Sequence, residues 1–221
     1  MHGSGKIIFC VTLFSQIISF LFFYLVGKLE VEDKLLSEFQ SILALATTVT
    51  MCVVCLVGAI FLRKNIVQQY IGAHRIRTFL YPIKRSRLLV IKTLAFMNKL
   101  LVPFFVGNLL LFALEVLFSY FFRLKDSNGE NQILNGMGIC IIYTLFVFSI
   151  SLCSEIIAIW RQSEITVIIT TVVGILILSN LSALGTINYL WITFIFSSLL
   201  AFLQIYWLGI LSKKIDKADA Y

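Results

Sequence analysis

Six long apolar runs decide what this chain can become: Ile7 to Val26, Ile42 to Leu62, Leu100 to Phe122, Met137 to Trp160, Ile165 to Leu184 and Tyr189 to Leu211. Each is close to the ~20 residues that an α-helix needs to cross a hydrocarbon core roughly 30 Å thick. A segment in lipid must satisfy its own backbone hydrogen bonds, and the sequence shows neither barrel alternation nor short strands. The expected fold is therefore all-α, a polytopic membrane domain of six transmembrane helices that takes up residues 1–221. Composition agrees: 60% of residues are hydrophobic, 13% are charged and the mean hydropathy is +0.98, a balance that no water-soluble core could hide.

The first run follows Lys6 and ends in Phe22-Phe23-Tyr24-Leu25-Val26, with no small-residue cleavage pattern, so it reads as an uncleaved membrane anchor. All five cysteines, Cys10, Cys52, Cys55, Cys140 and Cys153, fall in apolar segments as small hydrophobes, and no disulfide framework is indicated.

Lys and Arg orient the spans. Fourteen of the eighteen fall on one side: Lys6, Arg63, Lys64, Arg75, Arg77, Lys84, Arg85, Arg87, Lys92, Lys99, Arg161, Lys213, Lys214 and Lys217. The other side has Lys28, Lys34, Arg123 and Lys125, together with Glu30, Glu32, Asp33, Glu38, Asp126 and Glu130. The basic side is cytoplasmic on this rule, which puts both termini inside a cell (plasma) membrane. The net charge of +7 then follows from topology and attraction to anionic lipid and calls for no nucleic-acid partner.

No soluble domain is expected. The longest connection, Arg63 to Lys99, is cytoplasmic, whereas the outer loops, Gly27 to Ser41, Arg123 to Gly136 and Gly185 to Asn188, are short. In the long connection Ile66, Val67, Tyr70 and Ile71 recur at helical spacing, so the second span should continue as an amphipathic helix. Tyr81-Pro82 breaks it, and a second helix should start near Pro82 and run into the third span. A basic hairpin resting on lipid headgroups is the other reading of the same residues.

The stretch Phe79-Leu80-Tyr81-Pro82-Ile83-Lys84-Arg85-Ser86-Arg87-Leu88-Leu89-Val90-Ile91-Lys92 resembles the segment after the second helix in type-two ABC transporter permeases. There a Pro, a small or polar residue, an Arg, an apolar run and a Lys lead into the third helix. The resemblance implies a coupling helix over Gln68 to Phe79 that seats in a cytoplasmic ATPase, with Tyr70, Gly72, His74, Arg75, Arg77, Phe79, Tyr81, Pro82, Arg85, Arg87 and Lys92 as coupling residues. It also implies a second permease, the same or a related chain, and an amphipathic or hydrophobic cargo such as an antimicrobial or cytolytic peptide. This sequence departs from the pattern at Lys84, where a small residue is commoner, and in its very short last outer loop. No Gly-rich phosphate loop is present, so this chain should bind no cofactor itself, and ATP and Mg would belong to the partner.

Two acids lie inside spans, Glu115 and Glu155, and membrane-embedded acids are functional suspects by default. Their distances from the span ends put them at depths differing by roughly 10–15 Å, too far for one dyad. Glu155 is placed to pair with Arg161 or Lys99; Glu115 has no evident partner and is the better cavity or gate candidate. Asn108, Asn180 and Gln204 are candidates for interhelical hydrogen bonds along a substrate path.

Cys52-Val-Val-Cys55 invites a metal reading, but Ala44, Thr48, Cys52, Cys55 and Ala59 form one stripe of small residues that suits close helix packing. A zinc site would need two more Cys or His ligands, and the histidines, His2 and His74, both lie outside the spans, His74 reading as a surface contact. The spans contain neither His nor Asp, which argues against intramembrane zinc, serine or aspartyl proteases. Two non-ABC classes stay open: a membrane immunity or scaffold protein, and an ion-coupled carrier that uses Glu115.

Overall fold

A computed structural model of the protein describes residues 4–29, 38–68, 85–122 and 132–217. Its helices are α1 (Ser4–Leu29), α2 (Phe39–Leu62, continued by a π-helical turn, Arg63–Val67), α3 (Arg85–Phe122), α4 (Gln132–Arg161), α5 (Ile165–Asn188) and α6 (Leu190–Lys217). All six are long and apolar enough to cross a membrane, so the six-helix membrane fold expected from the sequence is the fold found.

One expectation is met and one boundary moves. α3 runs unbroken from Arg85 to Phe122, so the helix expected to start near Pro82 does continue into the third span, and the second part of the Arg63 to Lys99 connection is the opening of that helix. Leu89, Thr93, Phe96, Met97 and Leu100 recur at helical spacing and are buried, while Lys92, Asn98 and Lys99 break the apolar run without breaking the helix. At the other face Gly185 to Asn188, expected as a loop, is the last turn of α5. Tyr189 alone joins α5 to α6, its N–H donating to Gly185 O at 2.8 Å.

α2 and α4 form the centre. Their most apolar stretches are 56% and 61% buried, against 17% and 22% for α5 and α6. α1 rests on α2 and α3, α5 on α4 and α2, and α6 on α4 and α3. The small-residue stripe of α2 permits this: Ala44, Thr48, Cys55 and Ala59 are buried and Cys52 is half-buried. α1 and α3 approach as closely at Gly107, where a Cβ would stand 3.0 Å from Thr12 Cγ2.

Candidate functional site

Buried polar side chains in this bundle collect in clusters along the faces of α2. The first joins three helices near mid-bundle. Gln16 of α1 donates from Nε2 to Thr47 Oγ1 of α2 at 3.3 Å and to Glu115 Oε1 of α3 at 3.2 Å. Thr50 Oγ1 donates back to Gln16 Oε1 at 2.7 Å. Both threonines also bond carbonyls in the preceding turn, Leu43 O and Ala46 O, so neither depends on Gln16. Glu115 is 5% exposed, and its other oxygen, Oε2, meets no partner among the described residues. Asn108, two turns away on the same face of α3 and 2% exposed, meets none with either polar atom. Glu115 thus has one neutral amide as donor, leaving a carboxyl oxygen open to a proton or a small cation in low dielectric.

The second cluster lies toward the face opposite the basic connections. Tyr143 OH of α4 lies 2.6 Å from Thr48 Oγ1 and 3.3 Å from Thr186 Oγ1 of α5, and it reaches Ala44 O at 3.0 Å. Gln40 extends the chain, donating to Thr186 O and accepting from Asn135, both at 3.4 Å. α2, α4 and α5 are fixed to one another here.

The third group is at the basic face. Glu155, fully buried, accepts a hydrogen bond from Thr93 of α3. The expected pairing with Arg161 or Lys99 is not made: Arg161 is exposed at the end of α4, and Glu155 points into the α3–α4 contact. From Thr93 to Glu115 is 22 residues of α3, ~33 Å at 1.5 Å per residue, so the two acids are farther apart than the sequence implied and form no dyad. Beyond Glu155 the chain turns from α4 to α5 through Gln162, which takes a left-handed conformation (φ 51°), an uncommon state for a side chain of this size. The turn presents Glu164 Oε2 to Arg63 Nη2 at 3.2 Å, Arg63 Nε at 3.3 Å and Gln68 Nε2 at 2.9 Å. The exit of α2 toward the basic connection is therefore tied to the α4–α5 turn.

Of the residues singled out for coupling, Tyr70, Gly72, His74, Arg75, Arg77, Phe79, Tyr81 and Pro82 lie outside the described residues. Arg85 is the first residue of α3, Arg87 is exposed and Lys92 is half-buried. Asn180 does not bridge helices; it is exposed and bonds Leu176 O in its own helix. Gln204 does lie across from another helix, facing Cys153 of α4. Sequence reasoning missed Gln16, Thr47, Thr50, Tyr143 and Glu164, although Gln16 carried a signal as the one amide in the first apolar run. Among the described residues no three His, Cys, Asp or Glu side chains converge as a metal site.

Fold and site together define a multi-pass α-helical membrane protein whose central helix is held by polar side chains on several sides. No protein-family model, curated protein or solved structure matches the chain.

Proposed function

We propose that the chain is the membrane-spanning permease subunit of an ATP-binding-cassette exporter, moving an amphipathic or hydrophobic substrate outward with energy from a separate ATPase. The observation that carries this reading is the arrangement at the basic face. α2 runs past its apolar end as a π-helical turn pinned by Arg63 and Gln68 to Glu164, and α3 already begins at Arg85. The connection between them resembles the permease coupling segment, and a push on it would reach two rigid helices that line the polar interior. A second permease would complete a cavity, and an apolar, phenylalanine-rich wall with 20 Phe suits a hydrophobic or peptide cargo.

The test is purification from the native membrane in mild detergent, with stoichiometric partners identified by mass spectrometry and ATP hydrolysis assayed. A copurifying ATPase lost on Arg75→Asp and Arg77→Asp, in a correctly inserted protein, is the expected result. A partner-free protein in two detergents refutes it.

The open carboxyl of Glu115 supports a second reading, an ion-coupled carrier. That reading predicts substrate flux driven by an imposed proton or sodium gradient in vesicles without ATP, and its loss in Glu115→Gln.

A further inference from the structure

The inner halves of α4 and α6 leave a groove of about 410 Å³ between them, a volume within the ~300–1,000 Å³ range of small-ligand pockets. Ile156 and Trp160 line one wall, Leu203 and Trp207 the other, and Lys214 closes one end. Gln204, farther in, faces Cys153, and the rest of the groove up to Lys214 is lined by apolar side chains. α4 and α6 run in the same direction, and both end on the basic side, where Arg161, Lys213, Lys214 and Lys217 gather. Lys214 does not trail into water: its Nζ sits 5.9 Å from the centroid of the Trp160 ring, at the mouth of the groove. Among the described residues no carboxylate forms an ion pair with it. Trp160 and Trp207 are more than half exposed, at the level where aromatic rings mark a membrane interface.

We propose that this groove is a binding site for an anionic phospholipid of the inner leaflet, with an acyl chain between Leu203 and Ile156 and the headgroup phosphate at Lys214. Charge complementarity selects this occupant, because an apolar slot that ends in an ammonium fits an acyl chain carrying a phosphate and discriminates against a zwitterionic headgroup, whose own cation repels Lys214. The proposal does not rest on the transport reading.

The chain has three tryptophans, and Trp191 lies at the opposite end of α6, so in Trp191→Phe protein the fluorescence reports on Trp160 and Trp207. This protein is reconstituted into phosphatidylcholine vesicles, and quenching by brominated phosphatidylglycerol is compared with quenching by brominated phosphatidylcholine. One basic side chain near a membrane surface is worth about fivefold in anionic-lipid preference, and a preference of that order is expected. It falls to near one in Lys214→Gln and with added salt, and persists in Lys213→Gln, a neighbouring exposed lysine outside the groove. Equal quenching by the two lipids overturns the proposal, as does an equal loss in Lys213→Gln. Absence of quenching by either lipid also overturns it and shows instead that protein, such as a second copy, covers the groove.

Discussion

Gln16 and Glu115 form a pair of polar side chains inside the bundle, and substitutions at the two should be sharply non-additive. Gln16→Leu removes three interhelical hydrogen bonds, two of them long at 3.2 and 3.3 Å. In membranes such bonds average ~0.6 kcal/mol and reach at most ~1.7, so their direct loss is about 2 kcal/mol. Thr47 and Thr50 keep their carbonyl partners, Leu43 O and Ala46 O, and add no penalty. Glu115 loses the one donor to its carboxyl and adds ~1–3 kcal/mol, partly offset by the apolar gain of Leu. Glu115→Leu orphans one amide hydrogen of Gln16 in the same way. Each single substitution should therefore cost ~1–3 kcal/mol. The double substitution, which leaves neither polar group behind, should cost less than the sum by ~1–2 kcal/mol. The assay is reversible unfolding in mixed detergent and SDS micelles, followed by tryptophan fluorescence and circular dichroism for all four proteins. Additivity within ~0.5 kcal/mol would show that the side chains do not act as a pair.

Tyr143→Phe should cost only ~1 kcal/mol in the same assay, because Thr48 and Thr186 retain bonds to Ala44 O and Ser182 O; a loss above ~3 kcal/mol would mean that the hydroxyl holds more than these contacts. At Gly136 of α4 a Cβ would collide with the Phe112 ring, so Gly136→Ala must displace a buried ring of α3 and should cost ~1–3 kcal/mol. Phe112→Leu in that background should recover part of the loss, and no recovery would place the strain elsewhere.

The six helices were legible because each spans the membrane with its own hydrophobicity, a signal that needs no tertiary information. Glu115 and Glu155 were legible as outliers in apolar runs. Their partners were not, because an acid in a bundle is answered by whichever neighbouring helix faces it at that depth. Gln16 is 99 residues from Glu115 in the chain, and Thr93 is 62 from Glu155. Arg161 was a poor guess for Glu155 for the same reason: nearness in sequence put it at the helix end, where it is exposed. Glu164 was missed because its use depends on the left-handed turn at Gln162, and nothing in a Gln-Ser-Glu tripeptide announces that conformation.

These contacts bear on how a force would travel through the bundle. Successive residues of a helix are ~100° apart, so Thr47 and Thr50 on one side of α2 and Ala44 and Thr48 on the other address different neighbours. The first pair engages α1 and, through Gln16, Glu115 of α3; the second engages Tyr143 of α4 and, through it, Thr186 of α5. Arg63 and Gln68 then bind the same helix to the α4–α5 turn. Sliding α2 by a fraction of a turn against its neighbours would break bonds on both sides at once, so a displacement of α2 would be felt together in α1, through Gln16, and in α4 and α5, through Tyr143. Through Gln16 it would also reach Glu115 of α3, whose Oε2 meets no described partner.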